Sequence, residues 1–265
     1  LQDASRHEPS GVYTVARTFH RTSALELDAH LDRLEESAHL LGIPLKLDRA
    51  ALRRTLRQLI DEAGYPESRF RITIPAARPD HIYFAIEPLH EVPPELRKHG
   101  VRVQTFPGHR RNPRAKNTDW MKERALLQQQ MTDGTYEGLL VSPDGFILEG
   151  LGSNFYGILG SELHTASNGV LRGISRRIVL EVAPQVLPVC TEPVALDAVP
   201  QLQEAFLTSS SRGVVPIVMI DDHRVGDGRP GPLTREIEAR YNAWAEAHLE
   251  PIWPGDSNNK QTLTE

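Results

Sequence analysis

The sequence predicts an α+β fold in two parts, a small N-terminal α/β domain and a larger C-terminal β-rich domain that also carries helices. Three observations predict it. Apolar residues recur at helical spacing in two early stretches and one late one. Short β-branched and aromatic runs bounded by turn residues fill most of the remainder. Between the two parts lies a stretch rich in Pro, Gly, His, Asn and Arg.

Val12 to Phe19, with its Val, Tyr and Thr, reads as the first strand. Leu27, Leu31, Leu34, Ala38 and Leu41 then recur at steps of four and three, one face of an amphipathic helix that Gly42 and Pro44 stop. A second helix starts near Asp48, turns Leu52, Leu56, Leu59 and Ile60 inward, and ends near Gly64 and Pro66. Strands follow at Phe70 to Ile74, His81 to Ile86 and Val101 to Phe106, which completes a small domain over residues 1–106. Residues 107–115, with Arg110, Arg111 and Arg114, read as an interdomain linker.

The larger domain, 116–254, is mostly hairpins. Pro143-Asp144-Gly145 turns Leu139 to Ser142 into Phe146 to Gly150, and Gly160-Ser161 turns Phe155 to Leu159 into Glu162 to Thr165. A helix begins near Ile174, strands recur at Ala205 to Thr208 and Val214 to Ile220, and a last helix runs from about Pro232 to His248. The polar stretch 255–265 reads as a disordered tail, and the start at Leu1 without Met suggests that N-terminal residues are missing.

Composition narrows the function. Of 265 residues, 39% are hydrophobic and 25% charged, which suits a soluble protein. A net charge of -5 argues against a nucleic-acid surface. No apolar run reaches the roughly 18 residues that span a bilayer, and no secretory signal is visible, so no membrane partner and a cytoplasmic location are expected. Cys190 is the lone cysteine, expected as a buried strand residue, and the scattered histidines support no metal site. Gly150-Leu151-Gly152 lacks the third glycine of a dinucleotide fingerprint, since Phe155 stands there.

Five pieces remain, in this order: His30-Leu31-Asp32-Arg33-Leu34, Lys116-Asn117-Thr118-Asp119-Trp120-Met121, Glu149-Gly150-Leu151-Gly152-Ser153-Asn154, Gly173-Ile174-Ser175-Arg176 and Thr208-Ser209-Ser210-Ser211. As an ordered set they resemble the class-IV (fold-type IV) pyridoxal-phosphate (PLP) enzymes, from Gly11 to about Tyr241. That family includes branched-chain and D-amino-acid aminotransferases and 4-amino-4-deoxychorismate lyases. The resemblance implies a two-domain fold-type IV enzyme of amino-acid metabolism, working as a homodimer on an amino donor and a 2-oxo acid, with pyridoxal 5'-phosphate carried by Lys116 as a Schiff base.

The chemistry asks for such residues. The cofactor needs an amine that condenses with its aldehyde and later serves as a base, and lysine does both when burial or positive charge lowers its pKa. Arg110, Arg111 and Arg114 are positive neighbours in sequence, either facing Lys116 or solvated in a loop. A carboxylate keeps the ring nitrogen protonated, and the resemblance places Glu149 there, at the end of the apolar run Phe146-Ile147-Leu148. Gly173, Ile174 and Ser175 open a helix whose free N–H groups suit a phosphate.

The resemblance adds Arg33 as a charged clamp, Ser209 and Ser210 as loop contacts to phosphate and substrate carboxylate, and Ser153 and Asn154 beside the cofactor. Tyr13, Trp120 and Arg78 are implied substrate-side residues. Trp120 stands where branched-chain members have Tyr, so a hydroxyl contact is altered or lost. Arg78, in the loop Ala76 to His81, departs by one residue from the carboxylate trap of D-amino-acid members. Tyr13-Thr14-Val15-Ala16-Arg17 is closer to the lyase, which keeps one alternative, pyruvate elimination from aminodeoxychorismate by the same lysine; a second, from another class, is a catalytically silent ligand-binding member of the family.

Overall fold

The computed structural model describes residues 8–253 and 255, and it has the α+β class expected from the sequence. In chain order the elements are β1 (Gly11–Phe19), β2 (Ser23–Leu25), α1 (Leu27–Leu40), α2 (Arg49–Ala63), β3 (Ser68–Pro75), β4 (Tyr83–Pro88), α3 (Pro94–His99), β5 (Val101–Pro107) and α4 (Asp119–Gln128). There follow β6 (Glu137–Val141), β7 (Phe146–Gly150), β8 (Asn154–Leu159), β9 (Glu162–His164) and α5 (Ile174–Val182). The last are β10 (Val189–Cys190), β11 (Val194–Ala195), β12 (Glu204–Ser209), β13 (Gly213–Ile220), β14 (His223–Arg224), α6 (Pro232–Ala247) and β15 (Leu249–Pro251). Among the described residues, no helix is long and apolar enough to cross a membrane.

Two compact units form. One is the chain up to His90 together with the segment from Ala245 on, and the other is Glu91–Trp244. This division differs from the one expected at residues 107–115 for two physical reasons. β5, expected in the small domain, has strands of the larger unit on both sides, pairing in parallel with β13 and β6. The supposed linker continues inside that unit: the Gly108 N–H donates to the Val141 carbonyl at 2.8 Å, and Arg110 is buried. At the other end of the chain, β15 pairs antiparallel with β2, and Ile252 enters the small core behind it. Arg53 on α2 fixes this return, donating to the Pro251 carbonyl at 3.0 Å and meeting Glu250 at 2.8 Å. Of the expected disordered tail, residues 256–265 lie outside the described residues.

In the small unit a five-stranded sheet has the order β15-β2-β1-β3-β4. Leu27, Leu31, Leu34 and Ala38 of α1 and Leu52, Leu56 and Ile60 of α2 pack with Val12, Ala16, Phe70, Ile72 and Ile74 of the sheet. This is the face that the helical spacing predicted. The Asp48 carboxylate caps α2 by accepting the Ala51 N–H at 2.9 Å, and Gly64 ends it at φ 67°.

The larger unit is a ten-stranded sheet with the order β10-β9-β8-β12-β13-β5-β6-β7-β11, β14 adding to β13. Because β7 also pairs with β8, the strands β8, β12, β13, β5, β6 and β7 close into a six-stranded ring. Val101, Val103, Leu139, Val141, Ile147, Phe155, Leu207 and Val215 share its apolar core. One registered pair, Glu149 with Asn154, makes the closure.

A bulge decides where Glu149 points. Leu139 and Val141 of β6, two residues apart, face Gly150 and Ile147 of β7, three apart. The extra residue reverses the alternation along β7, so Glu149 leaves the face that Ile147 presents to the core. Without it, a carboxylate two residues from Ile147 would enter the apolar interior. Cys190, expected to be buried, is instead half-buried, because β10 is a two-residue strand at the edge of the sheet.

Candidate active site

The pair that closes the ring is the centre of the site. Glu149 is 3% exposed. Its Oε2 accepts the Leu171 N–H at 3.1 Å, whereas Oε1 has no hydrogen-bond partner among the described residues and stands 3.6 Å from Arg110 Nη1. Burial pushes the Glu149 carboxyl above the usual carboxylate range, against the pull of the Arg110 and Lys116 charges. Lys116, half-buried just before α4, therefore shares a field with Glu149, although 33 residues of sequence separate the two motifs.

Asn154, across the closure, donates from Nδ2 to the Leu171 carbonyl at 2.9 Å. One peptide unit on each side of Leu171 is thus held by each member of the closing pair. This draws the 171–173 loop, and with it the start of α5, against Glu149. Gly173 precedes α5 in an extended conformation with no side-chain cap, so the first-turn N–H groups are not taken up by a cap residue. A Cβ at Gly173 would lie 2.3 Å from Asn154 Oδ1, so any larger residue there would have to push the Asn154 amide off the Leu171 carbonyl. Ile174 and Ser175 are buried, and Ser175 Oγ pairs with the Tyr241 hydroxyl at 2.9 Å.

Of the three arginines near Lys116, only Arg110 is buried. Its Nη2 donates to the Ala115 carbonyl at 3.1 Å, which ties the turn before Lys116, and its guanidinium lies over the Trp120 ring at 5.3 Å. Trp120 gives its indole N–H to the Leu151 carbonyl at 2.9 Å. The Asn117 side chain accepts the Trp120 backbone N–H at 3.1 Å and so satisfies a first-turn donor of α4. Trp120, expected to face substrate, has its one polar group committed to the backbone beside the Glu149 turn and its ring to Arg110.

Ser153 Oγ has no hydrogen-bond partner among the described residues. Ser209 and Ser210 are half-buried at the β12–β13 turn, and Ser209 Oγ accepts from Arg212 Nε at 2.9 Å. Arg212 also meets Glu137 at 2.6 Å and the Gly152 carbonyl at 3.2 Å, which joins this turn to the one after β7. The structure thus gathers Lys116, Glu149, Asn154, Gly173, Ile174 and Ser175 in the larger unit.

Tyr13, Arg33 and Arg78 belong to the small unit. Tyr13 is buried on β1, on the sheet face opposite Val12. Arg33 Nη2 donates at 3.2 Å to Thr14 Oγ1, which lies 2.7 Å from His30 Nδ1, so the motif on α1 is a buried polar cluster. Arg78 is exposed and bonded to the His81 ring.

Sequence reasoning missed three members of the site. Arg176 is buried and donates to the Ala166 carbonyl at 2.8 Å, and burial pulls its pKa down. Tyr156 stacks on Phe206 with centroids 4.5 Å apart and reaches Thr208 Oγ1 at 3.1 Å, and burial pushes its hydroxyl pKa up. Tyr241 sits on the last helix, far along the chain from Ser175. Only Arg176 had a signal, its place in the first turn of α5 among Ile174 and Ile178.

Comparison with known proteins follows the same outline. The profile of the family described as amino-transferase class IV matches residues 11–220. The branched-chain-amino-acid aminotransferase of Pseudomonas aeruginosa is 26% identical over 92% of this chain and 88% of its own length. The D-alanine aminotransferase of Bacillus licheniformis is 27% identical over 90% of this chain and 88% of its own. A branched-chain amino acid aminotransferase from T.th., solved with pyridoxamine 5'-phosphate, shares the fold, with a TM-score of 0.80 at 21% identity over 94% of this chain and 91% of that one.

Proposed function

The chain belongs to the class IV aminotransferase family, and from that premise we propose that it moves an amino group between an amino acid and a 2-oxo acid, using pyridoxal 5'-phosphate held at Lys116. The observation that carries this reading is the under-paired carboxylate: Glu149, buried, with Oε1 lacking a hydrogen bond among the described residues and the Lys116 charge acting on it. A buried carboxylate in that state calls for a cationic N–H donor, and the protonated ring nitrogen of the cofactor is one. The uncapped start of α5 calls for an anion, and the cofactor's phosphate is one. Among the proteins of the same fold, the T.th. enzyme was solved with pyridoxamine 5'-phosphate.

When bound, the cofactor supplies an electron sink for the bond broken at the substrate's α-carbon. The chain's residues do the rest. Lys116 would hold the cofactor, and its Nζ would take the substrate's α-proton and return it. Glu149 would accept the cofactor's ring N–H on Oε1 and hold that proton in place. Arg110 limits how negative Glu149's surroundings become and anchors the Ala115 carbonyl, so the Lys116 backbone is fixed from the same side. Ile174 and Ser175 present backbone N–H groups, that of Gly173 being given to the Leu171 carbonyl at 2.9 Å, and Asn154 sets their distance from Glu149. The relatives named for branched-chain and for D-amino acids leave both substrate classes to be tested.

The test is a screen of L- and D-amino donors, branched-chain donors among them, with 2-oxoglutarate and pyruvate as acceptors, run beside the Lys116→Ala variant. Transfer by the wild type and a loss of about 10⁴-fold or more in the variant are expected. Pyruvate released from aminodeoxychorismate without an acceptor, with no transfer from any donor, would make the chain a lyase; ligand binding with neither activity would make it a silent member.

A further inference from the structure

We propose that Glu162, His164 and Cys190 form a zinc site at the edge of the larger sheet, separate from the residues used in amino transfer. β9 and β10 pair in parallel through two registered pairs, and one of them is His164 with Cys190. Glu162 lies two residues before His164 on β9, so its side chain leaves the sheet on the same face. The outcome is that one imidazole nitrogen, one sulfur and one carboxylate oxygen all lie within 4.8 Å of one another. His164 Nε2 and Glu162 Oε2 are 3.7 Å apart.

The donor set and its geometry point to Zn²⁺. Thiolate with imidazole selects zinc and similar borderline ions over magnesium or calcium, which take oxygen donors. Tetrahedral zinc with ordinary Zn–N and Zn–S lengths spaces its ligand atoms roughly 3.4–3.6 Å apart. The Glu162–His164 separation of 3.7 Å is close to this, and no pair of the three ligand atoms is more than 4.8 Å apart. Three protein ligands leave a fourth position for water. The site has a mechanical role in this fold. β10 is two residues long and terminal in the sheet order, so the ion would clip a weakly held edge strand to β9. The sequence showed no such motif, because the ligands come from two strands, with Cys190 26 residues after His164, rather than from one short spacing.

The experiment titrates the tag-free, chelator-treated full chain, cofactor retained, with Co²⁺ and then Zn²⁺. One equivalent of Co²⁺ is expected to give tetrahedral ligand-field bands and a thiolate charge-transfer band, both lost on adding Zn²⁺. Cys190→Ser should lose the charge-transfer band, and His164→Ala should lose stoichiometric binding. His99→Ala, which removes another surface His–carboxylate pair, that with Glu95, should change nothing. X-ray absorption of the zinc-loaded wild type should show one sulfur scatterer at about 2.3 Å, a reading independent of how the variants fold. Absence of that sulfur, or stoichiometric zinc retained by both Cys190→Ser and His164→Ala, overturns the proposal.

Discussion

Glu149 and Glu137 are both buried glutamates of the larger ring, on neighbouring strands, yet their surroundings differ in kind. Glu137 meets Arg212 at 2.6 Å and accepts the Gly152 N–H at 3.2 Å, a pair that locks two turns together. Glu149 has one backbone donor, an arginine at the longer distance of 3.6 Å, and one oxygen with no hydrogen bond among the described residues. Glu204, a third case, resembles Glu137: its two oxygens accept the Leu233 and Thr234 N–H groups at the start of α6, at 3.1 and 2.7 Å. Buried carboxylates that serve the fold are satisfied by the fold. The one left short of donors marks the place where a ligand completes the set.

This contrast can be broken by substitution. The largest effect should be catalytic: Glu149→Gln removes the acceptor for a protonated ring nitrogen, and transfer should fall by roughly 10²-fold or more, about 3 kcal/mol in the barrier, measured as kcat/KM. Glu137→Gln should act instead on stability, lowering it by about 2 kcal/mol in denaturant titration because Arg212 loses its charge partner. If Glu137→Gln lost transfer activity while keeping its stability, the division between the two glutamates would fail.

The smallest effect has the opposite sign. Burial raises the Glu149 pKa in the folded chain, so in acid, below the ordinary carboxylate range, both folded and unfolded states carry the proton and Glu149 costs nothing. As pH rises through that range the unfolded chain ionises first, and folding loses stability until the folded group ionises too. Glu149→Gln should therefore stabilise the cofactor-free protein by about 1 kcal/mol at pH 7–8 and leave it unchanged near pH 4. Thermal melts across that range check it; a gain that persists undiminished in acid would mean that the carboxylate's charge is not the cause.

Much of this was legible in the sequence. The start of α2 near Asp48, its stop at Gly64, the turns at Gly145 and at Gly160-Ser161, and the glycine before Ile174 are local chemistry, and each appears where expected. What was not legible depends on residues meeting from far along the chain. Nothing in Phe146 to Gly150 announces the extra residue on β7 that turns Glu149 outward, since a bulge is defined by its partner strand. Arg110, Arg111 and Arg114 read alike, and only the Trp120 ring and the Ala115 carbonyl single out Arg110. β15 is three residues long and gains its place from β2 and Arg53, so the boundary of the small unit could not be drawn from residues 107–115. Cys190 looked buried because its neighbours are apolar, but its strand lies at an edge.

The central claim, that Lys116 and Glu149 belong to one cofactor site, is tested most directly by borohydride reduction of the protein loaded with pyridoxal 5'-phosphate, followed by peptide mass mapping. A pyridoxyl group on the peptide carrying Lys116, with the colour bleached, is the predicted result. The same label on Lys46, Lys98, Lys122 or Lys260, or none at all, would contradict it.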